Sequence, residues 1–191
     1  MRNLGHRLGA SGTKLENTVQ GLHNSLKIVS DSNFRYWEFD VRESADGTLF
    51  VFHDDDMWLK GKLIETRLLE MGEIISAGEE IGIRIPTLDE VMSELEQREE
   101  PVMVDIKEIM TDECRVEIID LVVGKKCWKL MATPKRFENS FPVKDRDRWR
   151  EMASQKGVKL VRVGRHRVQL FRFSDSALGR LFLYPKWLFG F

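Results

Sequence analysis

The sequence predicts an α/β protein in which parallel strands alternate with helices. Strand-like and helix-like patterns follow one another along most of the chain, and no internal repeat or low-complexity segment interrupts them. The chain has 191 residues, of which 42% are hydrophobic and 32% are charged. This length and composition predict a single domain over residues 1–191 and exclude a disordered, collagen-like or membrane-embedded protein.

Helices and strands are predicted in chain order from caps, periodicity and turn residues. A first helix is predicted to begin at Thr13, because Thr13 and Glu16 have the spacing of a capping box and apolar residues follow at helical intervals. Strands are predicted at 36–41 and 49–53, and a second capped helix begins at Thr87. The other predicted elements are an excursion of short elements over 57–82, strands at 102–107, 128–132 and 158–163, and helices at 112–123 and 145–156.

Charge is divided unevenly along the chain. Residues 125–191 contain 17 Lys and Arg and 5 Asp and Glu, whereas residues 1–124 contain 13 and 26. A basic stretch can attract phosphate-bearing partners such as nucleic acid. The simpler interpretation is that the acidic and basic parts complement each other within one fold or across a homo-oligomer, and on this interpretation nucleic acid is not the expected partner.

The predicted strand at 36–41 carries the first candidate site residues. Because strand side chains alternate, Glu38 and Asp40 project from one face and the apolar residues between them from the other. The strand at 102–107 repeats the arrangement with Asp105 and Lys107. Three acids and a lysine are costly to bury unless they hold a cation or one another. Taken alone, this pattern is more often a solvated strand face, the simpler alternative, than a metal site.

Two histidines accompany these acids. His6 precedes Arg7 near the start of the chain, and His53 ends the predicted strand at 49–53. Histidine exchanges protons near neutral pH, and Arg7 and Lys107 can bind phosphate. The combination predicts a phosphate-ester site, although each histidine alone is more often a structural hydrogen-bonding group. The remaining histidines, His23 and His166, are predicted to be surface residues.

Seven short motifs occur in a characteristic order within residues 4–108. In this order and approximate spacing they resemble the motifs of the glycerophosphodiester phosphodiesterases. The resemblance implies a TIM-barrel fold and the hydrolysis of glycerophosphodiesters to glycerol 3-phosphate and an alcohol, with a divalent cation, Ca²⁺ or Mg²⁺. The motifs are His6-Arg7, Glu16-Asn17-Thr18, Glu38-Phe39-Asp40-Val41, Asp46-Gly47, His53-Asp54, Ile85-Pro86-Thr87-Leu88-Asp89-Glu90-Val91 and Asp105-Ile106-Lys107.

The resemblance also implies a role for each matched side chain. Three carboxylates would hold the metal, two histidines would act as acid and base, and two cationic residues would contact the substrate phosphate. Glu16 has competing interpretations, as the capping partner of Thr13 and as an active-site residue. The implied residues are Glu38, Asp40 and Asp105 for the metal, His6 and His53 for proton transfer, Arg7 and Lys107 for the phosphate, and Glu16 and Asn17 for active-site support.

The sequence departs from the family pattern at several points. Leu8 occupies the place of the family's usual glycine, which adds a side chain beside the expected phosphate site. Asp105 stands where Glu is common, so its shorter arm must pull the cation toward its strand or leave a ligand position to water. The first strand of the barrel is expected almost at the terminus, and about three strands are expected after Lys107. A TIM barrel typically has about 250 residues, so we predict one that is shortened or incomplete in its C-terminal part.

The end of the chain leaves partners and function partly open. Residues 181–191 are apolar and aromatic but too short to span a bilayer, so we expect core or dimer packing, with peripheral membrane contact as the alternative. The alternative functions are a phospholipase D-like enzyme acting on lysophospholipid or sphingomyelin, and a non-catalytic phosphate-binding remnant. The sequence shows no secretory signal, which predicts a cytoplasmic protein with reduced Cys114 and Cys127.

Overall fold

The computed structural model describes residues 3–158 and 160–162. The strands are β1 (Trp37–Glu43), β2 (Leu49–Val51), β3 (Asp56–Leu59), β4 (Lys62–Glu65), β5 (Val102–Glu108), β6 (Trp128–Ala132) and β7 (Leu160–Arg162). The α-helices are α1 (Val19–Ser25), α2 (Met71–Glu80), α3 (Leu88–Leu95), α4 (Asp112–Asp120), α5 (Pro134–Ser140) and α6 (Arg146–Gln155). Short 3₁₀ helices occupy Leu26–Ser30, Thr66–Leu68 and Val143–Asp145.

One five-stranded sheet organises the fold, in the order β2-β1-β5-β6-β7. Strands β1, β5, β6 and β7 are parallel, and β2 is antiparallel to β1. Helices lie in the connection between each pair of consecutive parallel strands, as parallel strands require. This is the predicted α/β arrangement. The predicted strands at 36–41, 102–107 and 128–132 are confirmed within two residues.

The central strands are buried on both faces. Every residue of β1 is buried, including its three acids, Glu38, Asp40 and Glu43. The apolar side chains of β1 and β5, such as Phe39 and Val104, join the main core together with residues from α3, α4 and α6. The opposite face of the same strands carries the charged residues, because side chains alternate along a strand. The sheet therefore places acids in a protected position, rather than on the solvated face that was the simpler alternative.

Helix α3 confirms the second predicted capping box. The Thr87 hydroxyl accepts a hydrogen bond from the backbone N–H of Glu90 at 3.2 Å, and the Glu90 carboxylate accepts one from the N–H of Thr87 at 3.0 Å. The helix predicted at 145–156 is also present as α6, and Gly157 follows it with a positive φ of 73°. Caps and glycine stops were reliable signals in these helices.

The predicted start of the first helix is wrong. The helix begins at Val19, and its cap is Thr18, whose hydroxyl accepts from the Gly21 N–H at 2.9 Å. Thr13 lies instead in a series of turns that precedes the helix. The capping box at Thr13 does not form because its second member, Glu16, binds the Arg7 side chain.

The strand expected near the start of the chain is also absent from the described residues 3–18, which form turns. This segment nevertheless runs beside β1. The Glu38 N–H donates to the Gly5 carbonyl at 2.9 Å, and the Leu8 N–H donates to the Glu38 carbonyl at 2.8 Å. The two backbone hydrogen bonds hold the His6-Arg7 motif against the strand that carries the acids.

The excursion predicted at 57–82 consists of the hairpin β3-β4, a 3₁₀ helix and α2. A second apolar cluster stabilises it, with Met57 and Leu59 of β3 facing Ile74 and Ala77 of α2. The helix α5 was not predicted, since it has only 7 residues and no strong periodicity. After Lys107 the described residues contain two strands, where about three were expected.

Ion pairs connect the acidic and basic parts of the chain within this fold. Four such pairs join residues 125–158 to residues before 125. The described helices include none that combines the length and apolarity needed to cross a membrane. The predictions for His166 and for residues 181–191 lie outside the described part of the chain. The four pairs are Lys125–Glu96, Arg136–Asp55, Arg148–Asp112 and Lys156–Asp120.

Candidate active site

Three carboxylates converge on the charged face of the sheet. One oxygen from each of Glu38, Asp40 and Asp105 lies within 4.8 Å of the others. Their exposed fractions are only 3%, 1% and 5%. The convergence follows from strand register, because Asp40 of β1 is directly paired with Asp105 of the parallel strand β5. The structure thus brings together the three residues that the sequence predicts as metal ligands.

Lys107 lies among these acids. Its Nζ is 2.8 Å from Asp40 Oδ1 and 2.7 Å from Asp105 Oδ2. Burial lowers the pKa of Lys107, but the two carboxylates outweigh burial and raise the pKa above its usual value. The ammonium therefore remains charged and neutralises part of the buried negative charge.

Each of the three carboxylates has a different proton affinity. Burial, followed by the charge of Asp40, raises the pKa of Glu38 well above its usual value. Burial also raises the pKa of Asp105, and Lys107 opposes this only partly. At Asp40 the effect of burial is outweighed by Lys107 and Asn17, so its pKa is lowered. Of the three carboxylates, Asp40 therefore has the lowest affinity for a proton and Glu38 the highest.

Asn17 and Arg7 support the acids from the N-terminal turns. Asn17 Nδ2 donates to Asp40 Oδ2 at 2.7 Å, and the backbone N–H of Arg7 donates to Glu38 Oε2 at 2.9 Å. Both residues have left-handed backbone conformations, with φ of 60° and 51°. Such φ values are unfavourable outside glycine and occur where the surrounding contacts hold them in place.

The Arg7 guanidinium is held between two acids. Its Nη1 donates to Glu16 Oε1 at 2.5 Å, and its Nε lies 3.6 Å from Asp40 Oδ2. Glu16 also accepts a hydrogen bond from the Gly12 N–H at 2.9 Å. Of the two interpretations of Glu16, the capping role is wrong, and the residue contacts the side chain predicted to bind phosphate.

The two predicted acid–base histidines are partly exposed, with side-chain exposures of 33% for His6 and 36% for His53. His6 Nε2 lies 3.6 Å from Glu38 Oε2, and its Nδ1 is 2.8 Å from Ser11 Oγ. His53 Nδ1 is 2.7 Å from Asp54 Oδ1. This contact is possible because β2 ends at Val51, before the histidine.

His53 lies within electrostatic reach of the acids. Its charge is among the influences that lower the pKa of both Asp40 and Asp105, after the larger effects of burial and Lys107. The surface histidine His23 is different, since it is half exposed and pairs with Glu94 at 2.7 Å. The sequence prediction for His23 is confirmed.

The donor set fits a hard divalent cation. All three groups supply carboxylate oxygens, which Ca²⁺ and Mg²⁺ prefer, and oxygens that share such a cation lie up to about 5 Å apart. Asp105 Oδ1 is buried and has no hydrogen-bond partner within the described part of the chain, which is costly for a carboxylate oxygen unless it has a ligand. The shorter side chain of Asp105 does not prevent convergence with Glu38 and Asp40.

The sequence analysis expected the Leu8 side chain to lie beside the phosphate site, and this expectation is wrong. Its side chain is fully buried in the main apolar core with Leu22 and Trp37. The backbone adopts a φ of 57°, a left-handed conformation that costs a β-carbon-bearing residue about 1 kcal/mol. The apolar side chain is drawn into the core, away from the charged face of the sheet.

Two arginines near the site were missed by the sequence analysis. Arg42 is fully buried near the end of β1, and Arg136 reaches it from α5 through the shared carboxylate of Asp55. Arg42 continues the two-residue spacing of Glu38 and Asp40, a signal that could have identified it. No local pattern identifies Arg136, which is distant from Asp55 in the sequence.

The fold and the buried acidic site define a TIM-barrel-like protein with a cluster of carboxylates that could hold a metal ion. The family model of the glycerophosphoryl diester phosphodiesterase family matches residues 6–170. The chain belongs to this family, and the TIM-barrel-like fold predicted from its motifs is confirmed.

Solved structures with similar folds come from the same family. A protein from Silicibacter pomeroyi assigned as a glycerophosphoryl diester phosphodiesterase is 21% identical, with a TM-score of 0.54. The match covers 82% of this chain and 62% of the Silicibacter chain. A glycerophosphodiester phosphodiesterase from Agrobacterium tumefaciens is 22% identical with a TM-score of 0.53, covering 76% and 59%. A glycerophosphoryl diester phosphodiesterase domain from Mycobacterium tuberculosis is 14% identical with a TM-score of 0.56, covering 90% and 63%.

The chain thus spans about three fifths of the length of these related structures. Among curated proteins, no sequence matches it.

Proposed function

We propose that this protein hydrolyses glycerophosphodiesters to glycerol 3-phosphate and an alcohol, and that the reaction needs a divalent cation. The observation that carries the proposal is the convergence of Glu38, Asp40 and Asp105, whose oxygens lie within 4.8 Å of one another in a buried position. Membership of the glycerophosphoryl diester phosphodiesterase family supports the same reaction.

The three carboxylates would hold the cation. Two groups gain most from a positive ion: Asp105 Oδ1, which has no hydrogen-bond partner among the described residues, and Glu38, whose pKa burial raises. A bound Ca²⁺ or Mg²⁺ supplies Lewis-acid polarisation of a phosphate oxygen and of the attacking hydroxyl. Asn17 keeps Asp40 in place by donating to Oδ2, which leaves the proposed ligand set preorganised.

Arg7 and Lys107 would attract the substrate phosphate. Both are cationic side chains beside the acid cluster, and Arg7 is oriented by its ion pair with Glu16. A guanidinium that is already fixed loses little freedom when it binds an oxyanion. This arrangement would orient the phosphodiester relative to the two histidines.

The histidines would transfer the protons. One of His6 and His53 takes the proton of a glycerol hydroxyl as its oxygen forms a bond to phosphorus, and the other gives a proton to the departing alcohol as the old bond breaks. This first step leaves a cyclic phosphate of glycerol. Water then opens the ring to give glycerol 3-phosphate. Asp54 would favour the tautomer of His53 that carries a proton on Nδ1, through its contact with that nitrogen.

The direct test measures glycerol 3-phosphate released from glycerophosphocholine by the purified protein in Ca²⁺, in Mg²⁺ and in excess chelator. The double variant His6→Ala, His53→Ala removes both proposed proton carriers. His23→Ala is the matched control, because His23 also pairs with a carboxylate but lies on the surface.

We expect activity that the chelator abolishes, that the double variant lacks and that His23→Ala retains. Equal release by the wild type and the double variant would contradict the proposed proton transfer. The wild type could instead be folded, release no glycerol 3-phosphate with either cation, and release choline from a lysophospholipid. This result would contradict the proposed glycerophosphodiester substrate and favour a lysophospholipid.

A further inference from the structure

Three charged residues outside the proposed catalytic set form a connected chain beside the site. Arg42 is 1% exposed, and its Nη2 forms a short ion pair with Asp55 Oδ1. Arg136 of α5 donates to both oxygens of the same carboxylate, at 2.5 Å to Oδ1 and 2.8 Å to Oδ2. Asp55 is therefore shared by two guanidinium groups that come from different elements of the fold.

This chain of charges ends on the backbone of His53. Arg42 Nη2 donates to the His53 carbonyl oxygen at 2.8 Å. The next anchor follows two residues later, where the N–H and hydroxyl of Thr66 donate to the Asp55 carbonyl at 2.8 and 3.0 Å. Residues 53–55 leave the sheet after β2, so these bonds fix a loop that the strand pairing does not hold.

The residues that the structure describes provide no comparable anchor for the His53 side chain. Its ring contacts Asp54, which is 66% exposed, and is itself about one third exposed. A solvent-exposed contact holds a side chain only weakly. The position of the ring is thus set mainly by the backbone that carries it, and Arg42 is the buried group that holds this backbone.

We propose that Arg42 is a positioning residue for His53, and that Asp55 and Arg136 form the support that keeps its guanidinium in place. This inference rests on the proposed function, in which His53 carries a proton. It adds that helix α5, which follows β6, controls the His53 loop through Arg136. Arg136 touches neither the acids nor the histidine among its described contacts, so it acts through Asp55.

Buried charge explains why the support matters. A buried guanidinium that loses its carboxylate partners is strongly unfavourable, so Arg42 depends on Asp55 and on Glu108, whose Oε2 lies 3.4 Å from its Nη1. Arg136 is 20% exposed and can be removed while the Arg42–Asp55 pair remains. Arg136→Ala is therefore the variant that we expect to fold, whereas Arg42→Lys keeps a charge but loses the planar guanidinium, whose terminal nitrogens contact His53, Asp55, Thr66 and Glu108.

Kinetics separate positioning from general structural damage. We expect Arg42→Lys to lower kcat about tenfold and Arg136→Ala about threefold, with KM within about twofold, since small displacements of a catalytic group affect mainly the chemical step. In a His53→Ala background, Arg136→Ala should cause no further loss. Arg84→Ala is the control, because Arg84 pairs with Glu90 on the surface.

A second readout does not require activity. The imidazole proton resonance of His53 is identified by its loss in His53→Gln, and we expect Arg136→Ala to shift it while the His23 resonance stays unchanged. Additive losses together with an unmoved His53 resonance would overturn the proposal. If the wild type releases no glycerol 3-phosphate, a shifted resonance still supports positioning while the proposed function fails, and an unmoved one rejects the positioning role as well.

Discussion

Asp40 and Asp105 lie opposite each other on neighbouring parallel strands, and a single ammonium bridges them, with Lys107 Nζ 2.8 and 2.7 Å from their oxygens. The paired register gives both carboxylates the same depth in the protein. The lysine compensates for only one of the negative charges, so the cluster retains an attraction for a cation.

Lys107→Met should destabilise the metal-free protein. The change leaves two buried carboxylates without their common counter-charge, and breaking such a pair typically costs about 3 kcal/mol. We expect the free energy of unfolding in urea with excess chelator to fall by about this amount. Added Ca²⁺ should restore part of it.

Lys62→Met is the control for this experiment, because Lys62 is exposed on β4. Similar stability of the two variants in chelator would show that the ammonium does not compensate the acids.

Cation affinity should increase with pH through the range in which Glu38 of the metal-free protein loses its proton. Burial raises the pKa of Glu38 well above 4.5, so metal binding must displace this proton. For the same reason, metal-free stability should fall as pH rises from the unfolded pKa of about 4.5 through the higher folded pKa, since only the folded state keeps the proton.

Calorimetric titration of Ca²⁺ in buffers with different ionisation enthalpies measures this proton release. Glu38→Gln should release fewer protons and bind the cation more weakly. Binding that is independent of pH in the wild type would be inconsistent with a protonated Glu38.

Asn17 should contribute through both its side chain and its backbone. Asn17→Ala removes the hydrogen bond to Asp40 and forces alanine into a φ of 60°, so we expect a loss of about 2 to 3 kcal/mol in unfolding free energy. Asn17→Gly removes the same hydrogen bond but tolerates this backbone, so it should be about 1 kcal/mol more stable than Asn17→Ala.

Both Asn17 variants should weaken cation binding to a similar degree, because both lose the amide that orients Asp40. Thermal denaturation with and without Ca²⁺ measures the two effects together. Unchanged cation stabilisation in both variants would show that Asp40 does not need this contact.

Leu8→Gly should destabilise the protein without changing substrate affinity. The variant relieves the left-handed backbone by about 1 kcal/mol but removes a fully buried leucine, whose truncation typically costs about 2 to 5 kcal/mol. We expect a net loss in unfolding free energy and a KM within about twofold of wild type. A markedly lower KM would mean that Leu8 narrows the phosphate site after all.

The faces of the strands on which the charged side chains lie could be predicted from the sequence, because side chains alternate strictly along a strand. The positions of Glu38 and Asp40 on one face, and of Asp105 and Lys107 on the matching face, follow from alternation alone. The pairing of β1 with β5 then follows from a parallel α/β architecture. The same holds for α3, where Glu90 completes the capping box at Thr87 through Oε2 while its Oε1 pairs with Arg84.

Long-range contacts account for what the sequence did not predict. Glu16 has the spacing of a capping residue but binds Arg7, so the local rule failed where a site residue competed for the side chain. The contact between Arg136 and Asp55 spans 81 residues, and no local pattern encodes it. The core position of Leu8 likewise depends on a left-handed backbone that leucine does not favour.

The central claim is that the three-carboxylate cluster binds the cation that the hydrolysis needs. The most direct test measures glycerol 3-phosphate release from glycerophosphocholine by chelator-treated protein as free Ca²⁺ or Mg²⁺ is added back, beside the binding isotherm for the same cation. Activity should rise along the binding curve of one cation in the wild type, and both curves should move to higher concentration in Asp105→Asn. Full activity in excess chelator, or activation unaffected by Asp105→Asn, would contradict the claim.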